Sequence, residues 1–195
     1  MTRLFFPAAL LFTLFMAFFP AFSASAQQAW DLPQLMAALA QAPSHESRFT
    51  EKKTVSLLKE PVESNGILLF RRPDHLEKHV LLPKDETIIA DGDELTWQDA
   101  SGRSRSMRLS RNPSLAALAG GIRATLAGDL GALQKVFEVK LDGGQKQWTL
   151  TLTPTDAAMQ RKISGLRIEG SGSRVDTVEV QEKNGDRSLM TIQHE

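Results

Sequence analysis

Hydrophobic and polar residues change their spacing twice along this chain, which divides it into a strand-rich part, a helical part and a second strand-rich part. The stretch 66–97 has the pattern of four short strands, with an Arg-Pro corner at Arg72-Pro73 and an Asp-Gly turn at Asp91-Gly92. Apolar residues dominate these strands without the strict alternation of a sheet buried on one face only. A meander of this type bends into an open barrel with an apolar interior.

A helix is predicted before these strands. Asp31 followed three residues later by Gln34 is a capping-box pattern, and Pro43 ends the helix. One helix face is apolar because its hydrophobic residues recur at i, i+3, i+4 and i+7; they are Leu32, Leu35, Met36 and Leu39. Strands are then predicted over about 46–58, 64–72, 75–82, 86–90 and 94–98, with a further strand possible over 103–109.

The middle of the chain changes to a helical period. Asn112 is in a capping position, Pro113 suits the first helical residue, and one face is apolar. Gly120-Gly121 interrupts the pattern, which is consistent with a helix break, with close packing or with a hinge. The apolar face of this mid-chain helix consists of Leu115, Leu118, Ile122 and Leu126.

The pattern after this helix first predicts a second, short helix, capped by Asp129, that carries Leu130, Leu133 and Phe137. Strands return near 136–142, 147–153, 163–169, 175–182 and 187–193. Asn184-Gly185 suits a tight hairpin in which both central residues have positive φ. The chain is therefore predicted to be an α+β fold: an open antiparallel half-barrel of about ten to eleven strands, with an N-terminal helix and a mid-chain helical lid over its apolar concave face.

Residues 1–26 have the features of a cleaved secretory signal peptide: Arg3, a long apolar run, and Ala24-Ser25-Ala26 as the cleavage site. An uncleaved membrane anchor is the alternative. Residues 27–195 then form one domain. Loss of Arg3 leaves one basic side chain fewer than the 23 acidic ones, so a net charge near −1 argues against nucleic acid as a partner. The fold must hold without disulfides, because there is no cysteine. An apolar interior in an exported protein points to an apolar guest.

The sequence offers little chemistry for catalysis. We find no nucleophile elbow, no phosphate-binding glycine loop, and no nucleophile, base and orienting residue that could be assembled. His75, Glu77 and His79 fall on one side of a strand, where they are either metal ligands or a solvated outer face, and the second interpretation is favoured. We therefore predict no enzyme activity, no cofactor and no metal.

Arg72 is the charged residue with the clearest context. If Leu68, Phe70 and Arg72 alternate onto one face, that face is apolar and ends in a guanidinium, which needs hydrogen-bond acceptors. The alternative is an arginine whose charged end reaches water at the rim.

At this point the chain resembles the LolA-type periplasmic lipoprotein carriers. The resemblance rests on the apolar strand ending in Arg72-Pro73, the short strand ending at Pro83, and the motifs Ile88-Ile89-Ala90-Asp91-Gly92 and Leu95-Thr96-Trp97. Phe49-Thr50-Glu51 and the helix that begins at Asn112-Pro113 also match the family pattern.

The resemblance implies an acyl-chain cavity under a helical lid, in a protein of the Gram-negative periplasm. It also implies that Arg72 holds the lid shut by hydrogen bonds to the backbone carbonyls of Ile88, Ala117 and Leu118. Cavity residues on this basis are Phe49, Leu68, Phe70, Leu76, Val80, Ile88 and Trp97. Lid residues are Leu115, Leu118, Ile122 and Leu126. Ordinary core packing is the alternative for each of them.

The expected cargo is an acylated lipoprotein or another lipid. A monomeric carrier is expected to receive it from an inner-membrane donor complex and to deliver it to an outer-membrane acceptor. Leu76 and Lys78 depart from the family, in which bulky aromatic residues are common at these positions. The chain also ends at Glu195 without the family's extra tail. Both departures favour a paralogue with different cargo, such as a glycolipid or a polyene-type lipid. An acyl-chain sensor of the same fold is a second alternative, although such sensors usually carry a further domain.

Overall fold

The computed structural model describes residues 30–44 and 46–194, which form an α+β fold around one antiparallel sheet. The predicted signal peptide lies outside the described residues. Four helices are present in the described part: α1 (Leu32–Gln41), α2 (Pro113–Ala127), α3 (Leu130–Gln134) and α4 (Ala157–Gln160), with a 3₁₀ turn at Leu109–Arg111. The strands are β1 (Glu46–Thr54), β2 (Val62–Arg71), β3 (His75–Leu82), β4 (Glu86–Asp91), β5 (Glu94–Asp99), β6 (Ser104–Arg108), β7 (Phe137–Gly144), β8 (Gln147–Pro154), β9 (Ile163–Ser171), β10 (Arg174–Glu182) and β11 (Arg187–Gln193).

The sheet has 11 strands in the order β6-β5-β4-β3-β2-β1-β11-β10-β9-β8-β7. Two meanders therefore lie side by side and are joined where β1 pairs with β11, with Phe49 opposite Ile192. The edge strands β6 and β7 do not pair with each other, so the sheet stays open, as the sequence predicted. The helical segment α2–α3 is the connection between these two edges.

Local sequence signals account for the ends of the helices. The predicted capping box is confirmed at α1, where the Asp31 carboxylate accepts from the Gln34 backbone N–H at 2.9 Å and the Gln34 side chain accepts from the Asp31 N–H at 3.1 Å. The Asn112 side chain caps α2 through the Leu115 N–H.

At its other end, α2 terminates at Gly128, whose φ of 71° is readily adopted only by glycine. A Cβ at Gly128 would lie 2.2 Å from the Met36 carbonyl oxygen, so this glycine also lets α2 end directly against α1.

Several boundaries differ from the prediction. β1 ends at Thr54 rather than near residue 58, and α4 was not predicted. Phe137 begins β7 instead of lying on the short helix. The Asn184-Gly185 connection is longer than a two-residue hairpin, and only Gly185 has positive φ, so the predicted turn geometry was wrong.

The mid-chain glycines do not break α2. The helix runs without interruption through Gly120 and Gly121, which contradicts the prediction of an interruption. A Cβ at Gly121 would lie 3.0 Å from the Phe137 ring, whereas a Cβ at Gly120 would meet nothing within 4 Å. Gly121 therefore serves close packing of α2 against the start of β7.

The hydrophobic core lies on one half of the sheet. Its buried side chains come from α1, α2 and the strands β7 to β10, with Trp148, Leu150, Leu152 and Leu166 at most 1% exposed. The helices bury their apolar faces against this half, and the strands β1 to β3 lie beside it in the sheet.

Candidate ligand-binding cavity

A cavity of about 300 Å³ lies between the concave face of the sheet and the ends of α1 and α2. Its wall is mostly hydrophobic and combines three parts of the chain. The strands β2 and β3 contribute Leu68, Phe70 and Leu76. The strands β9 to β11 contribute Ile168, Val175, Val178, Val180, Met190 and Ile192. The helices contribute Leu39, Leu118, Ile122 and Leu126.

The predicted cavity residues are only partly brought together. Leu68, Phe70 and Leu76 line the cavity, but Phe49 and Val80, which are buried at 1% and 5% exposure, do not. Ile88 and Trp97 also lie outside its wall, because the cavity is centred on the seam between β1 and β11 and does not extend to β4 and β5.

Three of the four predicted lid residues line the cavity. Leu118, Ile122 and Leu126 do so from α2, whereas Leu115, near the start of the helix, does not. Trp97 belongs instead to a separate open groove with Leu95 and Met107, and its indole N–H donates to the Glu86 carboxylate at 2.9 Å.

Sequence reasoning missed the half of the wall that comes from the last strands. Val178 and Met190 face each other across β10 and β11 and both line the cavity. The alternation of apolar residues in β10 was visible in the sequence. It did not reveal that β11 returns to pair with β1 and so brings these side chains into the same wall as Leu68 and Phe70.

Arg72 lies where the sheet meets two helix ends. Its Nη1 donates to the Ala42 carbonyl at 2.5 Å, and its Nη2 donates to the carbonyls of Leu39 at 2.6 Å and Leu126 at 3.3 Å. The guanidinium carbon also lies 5.9 Å from the centre of the Phe70 ring. A single side chain thus connects the β2–β3 corner to the C-terminal ends of both α1 and α2.

The carbonyl partners implied by the family resemblance were wrong. Arg72 does not bond to Ile88, Ala117 or Leu118 in the described structure. Ala117 and Leu118 lie inside a continuous helix, and carbonyls there already accept intrahelical hydrogen bonds. Carbonyls in the last turn of a helix have no such partner and carry the negative end of the helix dipole, so they are the better acceptors for a guanidinium.

A second arginine, Arg123 on α2, also fastens this helix to the sheet, although no sequence pattern indicated it. The Arg123 Nη1 donates to the carbonyls of Asp74 at 2.9 Å and Gly92 at 2.8 Å. These carbonyls belong to the β2–β3 and β4–β5 turns, where the strand ladder leaves acceptors unpaired. Arg72 and Arg123 together fasten α2 to the first meander.

One side of the cavity carries a charged pair. Glu51 on β1 and Lys78 on β3 form an ion pair across β2, and their side chains are 16% and 21% exposed. The Glu51 carboxylate also accepts from Ser188 at 2.5 Å and from Ser64 at 3.3 Å. Burial acts to raise the pKa of Glu51, but the Lys78 charge and these hydrogen bonds outweigh it and hold the pKa below its ordinary value.

The histidines of β3 each have a separate carboxylate partner. His75 Nδ1 lies 3.2 Å from Asp91 and His79 Nε2 lies 3.0 Å from Asp85. Among the described residues, no group of three or more such side chains converges on a point that could hold a metal ion.

No helix within residues 30–44 and 46–194 is both long and apolar enough to cross a membrane. A search of curated protein sequences found no match.

Structural comparison finds proteins of similar architecture at low identity. A LolA superfamily protein from Nitrosomonas europaea is 10% identical, with 85% of this chain and 92% of that chain covered and a TM-score of 0.46. A domain from Vibrio parahaemolyticus assigned to outer membrane lipoprotein sorting is 11% identical, with coverage of 86% and 91% and a TM-score of 0.47.

A third similar structure is MucB, at 14% identity and a TM-score of 0.43. The match covers 81% of this chain but only 55% of MucB, so the chain spans about half of that protein.

Comparison with protein-family models assigns the chain to a family. The model of the family described as outer membrane lipoprotein carrier protein LolA-like matches residues 24–192, which include β1 to β10, β11 except its last residue, and both arginine contacts to α2. The members of this family are carrier or binding proteins, not enzymes. The chain belongs to the LolA-like family of outer membrane lipoprotein carriers.

Proposed function

We propose that this protein is a periplasmic carrier that shields the acyl chains of a lipoprotein or another lipid and takes them from the inner towards the outer membrane. The observation that supports this most directly is the apolar cavity that the ends of α1 and α2 cover. Each CH₂ group transferred from water into such a cavity contributes about 0.8 kcal/mol, so an acyl chain is a suitable guest.

The contacts of Arg72 support a lid that opens reversibly. Hydrogen bonds to a charged group contribute about 1.5–3 kcal/mol each, so three of them can hold two helix ends in place. An acyl chain entering the cavity gains enough free energy to offset the loss of these bonds. Arg72 is proposed as the latch of the lid, with Leu39, Ala42 and Leu126 as its acceptors.

The size of the cavity bears on the cargo. A volume of about 300 Å³ is at the small end of ligand pockets, which span roughly 300–1,000 Å³. A cargo with two or three acyl chains would therefore require α2 to move away from the sheet. Such a movement would have to break the contacts of the two arginines that fasten α2 to the first meander.

The test is to purify the exported protein from a Gram-negative periplasm and to analyse organic extracts by mass spectrometry. We expect a defined acylated species bound at a fixed stoichiometry. Arg72→Leu should change its occupancy, whereas Arg71→Leu should not, because Arg71 is the neighbouring exposed arginine on the same strand.

Binding of a fluorescent fatty acid to delipidated protein provides a second readout. Saturable binding with one clear stoichiometry supports the carrier. If extracts contain no acylated species and the fluorescent fatty acid does not bind at any concentration, the carrier function is wrong, and a partner-binding role for the same fold becomes the better hypothesis.

A further inference from the structure

The cavity is not uniformly apolar, because four polar side chains form a connected cluster in and beside its wall. This polar cluster consists of Glu51, Lys78, Ser64 and Ser188, from the four adjacent strands β1, β3, β2 and β11. Glu51 is the shared acceptor of all three others. The Lys78 ammonium additionally lies 5.0 Å from the centre of the Phe49 ring.

A partly buried ion pair of this kind contributes little to the stability of the fold. Removing two charges from water is expensive, and replacing a buried ion pair by apolar side chains of similar volume is often neutral or stabilising. An entirely apolar wall would also receive a plain acyl chain at least as well. We therefore explain the Glu51–Lys78 pair by the hydrogen bonds that it can form with a ligand.

The hydrogen-bonding capacity that remains defines what the cluster can bind. Lys78 has three N–H groups, and within the described residues it donates to Glu51 only. The Glu51 carboxylate has about four acceptor positions and uses three. Free donors and a free acceptor thus lie together against an apolar surface.

The charge of the cluster restricts the ligand further. The charges of Glu51 and Lys78 neutralise each other. An anionic group would be attracted by the Lys78 ammonium but repelled by the Glu51 carboxylate, and a cationic group would be attracted by Glu51 but repelled by Lys78. A neutral group that both donates and accepts, such as a hydroxyl or an amide, satisfies both partners without adding a charge to the cavity.

We propose that the polar cluster is a recognition site for a neutral hydrogen-bonding group, a hydroxyl or an amide, attached close to the alkyl chain of the cargo lipid. This inference rests on the proposed function, and it narrows the cargo from any acyl chain to a chain with such a group. Lys78 donates to the group, and Glu51 accepts from it.

Competition with a bound fluorescent fatty acid tests the proposal on the delipidated protein. The probes share one C16 acyl chain: 1-monopalmitoylglycerol, which has hydroxyls, N-(2-hydroxyethyl)palmitamide, which has an amide and a hydroxyl, methyl palmitate, which has no donor, and palmitate, which is an anion. One or two added hydrogen bonds should make the first two bind about tenfold more tightly than methyl palmitate. Palmitate should gain no such advantage.

The double variant Glu51→Met/Lys78→Met removes both charges together, so neither is left buried alone, and it leaves no donor or acceptor of the pair in place. It should bind methyl palmitate as the wild type does but lose the preference for the hydroxyl and amide lipids. The matched control is Lys52→Met/Glu63→Met, the same substitutions in an exposed pair on β1 and β2 whose side chains are 58% and 74% exposed. This control should keep the preference.

The outcomes separate this proposal from the carrier function. Equal affinity of the wild type for methyl palmitate and the hydroxyl or amide lipids would overturn the recognition site while leaving the carrier intact. If the double variant keeps the preference for the hydroxyl and amide lipids, the recognition site is likewise overturned and the carrier function is not affected. Failure of every lipid to displace the fluorescent fatty acid, or of that fatty acid to bind, would overturn the carrier function itself. The comparison on the wild type requires no substitution, so it decides the question even if the double variant does not fold.

Discussion

The Arg72 guanidinium donates to the backbone carbonyl of Leu126 at 3.3 Å and thereby joins the end of β2 to the last turn of α2. The same side chain also binds the last turn of α1. A cation at two converging helix C-termini neutralises the negative ends of both dipoles. The contact that covers the cavity is thus electrostatic and local, which allows it to break without unfolding the sheet.

Replacing Arg72 should loosen both helix ends. We expect Arg72→Leu to lower the free energy of unfolding by about 2–3 kcal/mol, since three charge-assisted bonds are lost while the freed carbonyls become hydrated. Urea denaturation measures this change, and amide hydrogen exchange should accelerate in the last turns of α1 and α2. Arg71→Leu should stay within about 0.5 kcal/mol of the wild type. Unchanged exchange in α2 would contradict a latch role.

Arg123 should act together with Arg72. Arg123→Leu removes two hydrogen bonds to the turns before β3 and β5, so faster exchange along α2 is expected, whereas the exposed Arg111→Leu should have no such effect. If α2 moves as one rigid body, a double-mutant cycle of Arg72 and Arg123 should give a coupling energy of about 0.5 kcal/mol or more. Strict additivity would indicate that the two arginine contacts, which both lie near the C-terminal end of α2, break independently.

The two adjacent glycines of α2 should respond in opposite directions to the same substitution. Gly120→Ala should raise the free energy of unfolding by about 0.5–1 kcal/mol, because its Cβ meets nothing and alanine favours the helix. Gly121→Ala should lower it by about 1–3 kcal/mol, because its Cβ presses on the Phe137 ring. Urea denaturation of both variants provides the comparison. A loss of lipid binding in a stabilised Gly120→Ala would revive the hinge interpretation.

A larger side chain in the cavity wall should weaken lipid binding. Met190→Trp places a larger side chain in the wall formed by β11, and overpacking of about 1–3 kcal/mol should weaken binding of a fluorescent fatty acid by about tenfold or more. Ile88→Trp is the control, because Ile88 was predicted to line the cavity but lies outside its wall. Equal loss of binding in both variants would place the lipid elsewhere on the sheet.

The Glu51–Lys78 pair should give stability a specific pH dependence. The pKa of Glu51 is depressed below its ordinary value of 4.5, so its contribution is present above that value and is lost as the pH falls towards the folded-state pKa. The wild type should therefore lose more free energy of unfolding between pH 6 and pH 3 than Glu51→Gln/Lys78→Met. Parallel pH profiles from urea denaturation would show that the pair makes no net contribution.

The sequence by itself determined the local elements. The capping box at Asp31, the Asn112-Pro113 helix start and the Arg72-Pro73 corner are formed by residues a few positions apart, so their physics is contained in short windows. The same holds for the apolar face of α2, three of whose predicted lid residues line the cavity. The order of the elements and their similarity to the LolA-type carriers were sufficient for the fold class.

Tertiary structure alone decided which surfaces meet. The pairing of β1 with β11 brings Met190 and Val178 into the same cavity wall as Leu68, and no local pattern specifies the pairing of strands more than a hundred positions apart. The acceptors of Arg72 are carbonyls at the C-terminal ends of α1 and α2. Their positions depend on where each helix ends, and α2 continues through Gly121 without a break. The Glu51–Lys78 pair exists because β1 and β3 flank β2 on one face, which follows from strand register and not from either residue's neighbours in sequence.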